Sequence, residues 1–150
     1  DNVLIRDKNW KKHILKPEIY LKNKLKKLYK KNSFFKNKKL EFSLLLTGDE
    51  EIKKLNKKFR KKNKITDVLS FPFYKKKILY NLLKKKNRTY IGDIIVNLKK
   101  ITKGNKKETS SLFDRLWVHG FLHLLGREHK LDKDFKKMKR EEDIFYNSIN

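Results

Sequence analysis

The chain has 150 residues, the length of one ordinary domain, and carries 42 Lys and Arg against 17 Asp and Glu, a formal net charge of +25. It has no cysteine, which excludes disulfides and thiolate metal sites, so any metal must be held by His, Asp or Glu. Its longest apolar run, Phe121 to Leu125, is interrupted by His123 and falls far short of the roughly 20 residues that cross a bilayer.

In chain order, residues 1–6 alternate weakly and predict an edge strand, and Asn9 is the expected N-cap of a helix from Trp10 to about Lys31. Pro17 lies inside that helix, so a break or a second start is expected near Lys16. The short apolar string Leu40 to Leu46 predicts a strand inside a covered sheet. Next, TGDE at Thr47 to Glu50 fits a capping box, with Ile52, Leu55 and Phe59 at helical spacing behind it and an end near Arg60. After the turn-like KKNKIT, Val68 to Phe73 reads as a strand that Pro72 confines to an edge or an end. Lys75 to Arg88 is compatible with a short helix or an ordered strand-to-strand loop, and Ile91 to Asn97 is a third strand candidate. Two helices close the chain, from about Glu108 to Leu125 and from Asp132, as N-cap, to about Ser148.

Elements mixed in this way predict a single domain over residues 1–150, an α+β or α/β sandwich in which a small mixed sheet is packed with helices. Trp117, Val118, Phe121, Leu122, Leu124 and Leu125 leave one helix apolar nearly all round, so it is the expected central, buried helix.

That helix carries the chain's most informative pattern, HGFLHLLGREH. His119 and His123 are i and i+4, so both imidazoles project from one face, continuing a stripe begun by Leu112 and Leu116. Gly126 is placed to stop the helix and turn the chain, bringing His129 to the same point. Buried imidazoles need partners, and three neutral ligands with a fourth position left open describe a catalytic zinc. The spacing is shared with the metzincin proteases, but Gly120 stands where their general-base glutamate would be, which disfavours a peptidase. Glu128, beside His129, reads as a solvated surface acid.

The excess of positive charge points to a polyanion, because such a surface releases counterions on meeting nucleic acid. No segment joins a basic face to an aromatic apolar face, so a membrane role is not expected. The opening DNVLIRDKNW has charges where a signal peptide would be apolar, and a cytoplasmic protein is expected.

Four segments together resemble the YbeY endoribonucleases, or rRNA maturation factors. HGFLHLLGREH is similar to that family's HGxLHLxGYDH, LNKKFR at Leu55 to Arg60 to its LNxxYR, and ITDVLSFPF and IGDIIVN to its TDVLSFPF and GDI segments, in the same order. The resemblance implies a single α+β domain with one Zn²⁺ per chain held by His119, His123 and His129. It implies a cytoplasmic nuclease of single-stranded RNA, acting on ribosomal RNA at the 3′ end of 16S rRNA and in ribosome quality control. Implied partners are the small ribosomal subunit, ribosomal proteins and an assembly GTPase, and Arg60 matches an arginine regarded as functional. Departures are Phe59 for tyrosine and Arg127-Glu128 for Tyr-Asp, which put any hydrogen bond from that pair to a ligand histidine in doubt, together with the insert at 75–89.

The mechanism expected is a zinc that activates water or polarises the phosphodiester while Arg60 holds the phosphate, with Lys61 and Lys62 contacting the RNA backbone. No residue is assigned as general base. The alternatives are a ribosome-assembly or RNA-binding factor with a structural zinc and, more remotely, a metzincin-like metallopeptidase.

Overall fold

A computed structural model of the chain describes residues 2–85, 88–102, 104–129 and 131–150. Four strands, β1 (Asn2–Ile5), β2 (Lys39–Thr47), β3 (Val68–Pro72) and β4 (Arg88–Asn97), form one sheet in the order β1-β2-β4-β3. The first three in that order run parallel, and β3 pairs antiparallel to β4 at the edge. The helices are α1 (Trp10–His13), α2 (Pro17–Lys31), α3 (Asp49–Arg60), α4 (Lys76–Lys85), α5 (Lys106–Leu124) and α6 (Asp132–Ile149). The fold is α+β, with a mixed sheet packed between helices.

Strand alternation explains the two faces of the sheet. In β2, Leu40, Phe42, Leu44 and Leu46 are buried on one face, while Leu45 points to the other. The first face is joined by Ile91, Ile94 and Val96 of β4 and is covered by α5, with α2, α4 and α6 around it. On the second face a smaller cluster of Ile52, Leu69 and Ile95 seats α3. Pro72 ends the edge strand β3, where its missing N–H costs no ladder bond.

Local chemistry differs from the sequence expectations at several helix ends. Pro17 starts α2 at its first turn, so the break near Lys16 is a second start. Asn9 makes no side-chain cap; its own N–H donates to Asp7 Oδ1 at 3.0 Å. Nor does TGDE form a capping box: Gly48 occupies the N-cap of α3, and Thr47 Oγ1 donates to Glu51 Oε1 at 2.7 Å. Leu131, rather than Asp132, is the N-cap of α6. The cap of α5 is Asn105, whose side-chain oxygen accepts from Glu108 N at 2.9 Å. The uncertain stretch after Lys75 is a helix, because Leu79 and Leu83, one turn apart, are buried in the main core; Lys86 and Asn87 of that stretch lie outside the described residues.

The central helix is α5. Trp117, Phe121 and Phe113 are fully buried on it, and Phe121 packs against Phe42 with ring centroids 5.3 Å apart. It is pinned lengthwise by Asp114, which accepts from Trp117 Nε1 at 3.0 Å and from Tyr20 Oη of α2 at 2.9 Å, with Lys24 Nζ 3.4 Å away. Burial pushes the Asp114 carboxyl above the usual carboxylate range, against the opposing pull of those donors.

Gly120 is where α5 meets the sheet most closely. A Cβ at that position would lie 2.8 Å from Ile94 Cγ2 and 3.0 Å from Ser70 Oγ. The residue that removes the metzincin glutamate therefore has a packing reason, and no longer side chain fits there. Gly120→Ala is expected to destabilise the protein by about 1–3 kcal/mol through overpacking, read as a lower urea midpoint. An unchanged midpoint would show that the helix can lift off β4 without cost.

Candidate metal centre and its basic groove

The C-terminal turn of α5 builds the site. Gly126 adopts φ +89°, its N–H bonding His123 O at 3.0 Å, while Arg127 N bonds Leu122 O at 3.0 Å. These two bonds make a Schellman stop, and the chain reverses so that His129 returns to the histidines of the last helical turns. One ligating nitrogen from each of His119, His123 and His129 lies within 4.8 Å of the others. The ring centroids are 4.6, 5.1 and 5.8 Å apart. His119 and His123 are half-buried and His129 is exposed, so the cluster opens to solvent on one side.

The outer nitrogens of two rings are fixed by specific partners. His119 Nδ1 is hydrogen-bonded to the carboxylate of Glu142, on α6. His123 Nδ1 lies 2.8 Å from the carbonyl oxygen of Arg127, which can only accept. In both rings Nδ1 thus carries a proton, and with both rings neutral the two Nε2 atoms, 3.1 Å apart, would present lone pairs to each other. Two facing lone pairs repel unless a cation lies between them. Nitrogens on a tetrahedral zinc would stand about 3.3 Å apart, so the donor set fits a divalent ion. Burial, reinforced by the neighbouring His119, pushes His123 down to about 4 and keeps it a neutral ligand at pH 7.

The substitution of Arg127-Glu128 for the resembled Tyr-Asp leaves the ligands anchored. It is the backbone of Arg127 that holds His123, while its guanidinium turns away to Glu141, at 2.8 and 2.9 Å, and to Tyr80 Oη at 2.6 Å. This ties the ligand loop to both α4 and α6. Glu128 is exposed on the groove wall, as expected of a surface acid. Glu142 was not singled out by the sequence. It lies 23 residues beyond His119 on another helix, and only the acid pair Glu141-Glu142 within a lysine-rich helix hinted at it.

The histidines line a groove of about 990 Å³ shared by Arg60, Lys62, Lys64, Lys75 and Lys76. Arg60 ends α3; its Nη2 donates to the carbonyl of Ser70 on β3, and its guanidinium lies 5.4 Å from the Phe71 ring centroid. Lys61 takes the left-handed conformation that ends α3, with φ 58°, and is not among the groove-lining residues, whereas Lys62 is. The loop after α3 is held by buried asparagines. Asn56 Nδ2 donates to Lys64 O at 3.0 Å, and Asn97 Nδ2 to Thr66 O at 3.1 Å and to Asp49 Oδ1 at 2.7 Å. Phe59, in place of tyrosine, stays exposed and meets Phe71 edge-on at 5.5 Å.

Fold and site together define an α+β protein with three histidines able to hold a metal ion in a groove lined with lysine and arginine. A family model described as Endoribonuclease YbeY matches residues 4–150. The chain belongs to the YbeY endoribonuclease family. The Endoribonuclease YbeY of Pelagibacter ubique is 41% identical over 146 residues, covering 93% of this chain and 89% of that protein. That of Thermodesulfovibrio yellowstonii is 37% identical over 130 residues, covering 84% and 75%. A solution structure of a Thermotoga maritima protein shares the fold, with a TM-score of 0.55 and 24% identity over 99% of this chain and 87% of that one.

Two measurements check the site. Glu142→Ala is expected to weaken the binding of an added divalent ion such as Zn²⁺ roughly 10–100-fold in a chelator competition while circular dichroism is unchanged; equal affinity would mean that the carboxylate does not orient His119. Between pH 4 and 6.5 the unfolded chain binds a proton at His123 that the folded chain excludes. The metal-free protein should therefore gain stability as pH rises through that window and lose it as pH falls. His123→Gln should flatten the dependence of Tm on pH, and an equally steep profile in that variant would assign the effect elsewhere.

Proposed function

We propose that this chain is a zinc-dependent endoribonuclease that cuts single-stranded ribosomal RNA, maturing the 3′ end of 16S rRNA and serving ribosome quality control. The observation that carries this reading is the placement of three convergent histidines in the same groove as Arg60, Lys62, Lys64, Lys75 and Lys76. Membership of an endoribonuclease family supports the reaction class. The setting is the cytoplasm, with the small ribosomal subunit, its proteins and an assembly GTPase as partners. None of the described helices is long and apolar enough to cross a membrane.

His119, His123 and His129 would hold one Zn²⁺. When bound, the ion supplies Lewis acidity toward a phosphodiester oxygen or a water molecule. The remaining work falls to the protein. Glu142 and the Arg127 carbonyl keep the protons of His119 and His123 on Nδ1, so their Nε2 atoms stay free as donors of electron pairs. Arg60 has one arm of its guanidinium on the Ser70 carbonyl, which aims the rest of the fork; a scissile phosphate would take two of its remaining N–H groups. Charge developing on the phosphoryl oxygens is stabilised by a donor that needs no reorganisation. Lys62 would hold a flanking phosphate without reading sequence, whereas Lys61, outside the groove lining, would at most meet the strand beyond it.

The test is cleavage of a ribosomal precursor RNA by folded, metal-analysed variants. His123→Ala is expected to abolish both zinc content and cleavage, and Arg60→Ala to lower the cleavage rate about 10²-fold with zinc retained. RNA affinity should fall steeply with salt, with a slope set by the number of phosphates contacted. Undiminished cleavage by a metal-free, folded His123→Ala would instead make the zinc structural and the protein an RNA-binding assembly factor.

A further inference from the structure

Phe73 is a large apolar ring placed where burial does not explain it. It follows Pro72 at the end of the edge strand, its residue surface is 63% exposed, and it lines the groove that holds the three histidines. Its backbone is fixed, since Phe73 N donates to Ile91 O at 2.9 Å. Its ring is held edge-to-face by two others, Tyr90 at 5.3 Å and 80°, and Tyr74 at 5.7 Å and 88°. Tyr90 is itself anchored through its hydroxyl to Ser43, at 2.7 Å, and to Asp93. These edge-to-face contacts set the ring's tilt, and at that exposure much of the residue remains open to solvent.

The charge around this ring identifies what it would meet. Lys75 and Lys76 follow it in sequence and, with Arg60, Lys62 and Lys64, line the same groove. A solvated aromatic face between cations that track a phosphate backbone is the arrangement that binds unpaired nucleotides, because every base offers a π-face and stacking tolerates any sequence. Exposed Phe59 is different. It is outside the groove lining, packs on Phe71, and carries Lys58 Nζ 5.2 Å from its ring centroid.

Resting on the ribonuclease reading above, we propose that Phe73 is a base-stacking platform. It receives one unpaired nucleobase of an RNA strand whose phosphates run along Lys75 and Lys76, and so makes the groove select single strands. A base within a duplex is already stacked on both faces and cannot reach the ring without being unpaired.

The experiment measures binding of a short single-stranded RNA carrying 2-aminopurine at successive positions, with wild type, Phe73→Ala, Phe73→Leu and Phe73→Trp, each checked by circular dichroism. Wild type should quench the fluorophore strongly at one position. Phe73→Ala and Phe73→Leu should lose that quench and bind roughly tenfold more weakly, while Phe73→Trp retains both. The salt dependence of binding should stay as in wild type for the Phe73 variants and become shallower for Lys75→Ala/Lys76→Ala, since only the latter removes phosphate contacts. Wild-type affinity and quench in Phe73→Leu would overturn the stacking role while leaving the ribonuclease reading intact. Absence of RNA binding by the wild-type protein would overturn both.

Discussion

The close seating of α5 on β3 and β4 is the constraint on which the rest of the structure depends. At Gly120 the helix backbone approaches Ile94 and Ser70 so nearly that a single added carbon would collide. One residue before it, His119 faces the groove; three residues after it, His123 does the same. The register of the helix on the sheet therefore decides where the ligand nitrogens point. Asp114, bonded to Trp117 and to Tyr20 of α2, resists sliding along the helix axis, and the ring packing of Phe121 on Phe42 resists rotation. A close-packed core has little compliance, so the two imidazoles inherit its precision.

From that fixed helix the site is completed by a turn and a clamp. The Schellman stop at Gly126 does two things with one reversal: it returns His129 to the cluster, and it presents the Arg127 carbonyl to His123. The Arg127 side chain is then gripped by Glu141 and Tyr80, so α6 and α4 both bear on the position of a backbone oxygen beside a ligand. The Arg127 Nε–H is shared between both oxygens of Glu141, and such a charge-assisted contact is stronger than a neutral hydrogen bond. The replacement of an aromatic by a cation at this point is thus absorbed, because the group that touches the histidine belongs to the main chain and is common to all residues.

How much of this was legible in the sequence follows from the range of the interactions concerned. The histidine triad and its glycine stop were readable because they lie within eleven residues and obey helical periodicity. Strand β2 was readable from its short apolar run, and β3 from VLSFPF with Pro72 marking an edge or an end. Caps were not, because Asn9, Thr47 and Asp132 are each locally adequate and only tertiary packing decides which residue starts the helix; the true cap of α5, Asn105, sits among equally polar neighbours. The α4 helix was obscured by lysines, its core contribution being two leucines, Leu79 and Leu83. Glu142 was out of reach for a different reason. Its pairing with His119 joins two helices, and no local pattern encodes which of the acids on α6 faces inward.

Net charge raises a separate question of locality. A formal +25 spread over the chain describes a long-range attraction to polyanions, and it says nothing about where they settle. At physiological ionic strength the field of a surface lysine decays over about 8 Å, so lysines farther than that from the groove bear little on a polyanion held within it. Those of the groove are distinguished by their company. Lys62 and Lys64 follow Arg60 on a loop held by Asn56 and Asn97, and Lys75 and Lys76 follow Phe73 in the same groove as the histidines. Cations at a fixed distance from a ligand cluster and a tilted, open aromatic ring can position a strand, whereas the same charges on a mobile, featureless surface would only retain it. The functional content of this basic protein therefore resides less in how many lysines it has than in the few whose main chain is held rigid.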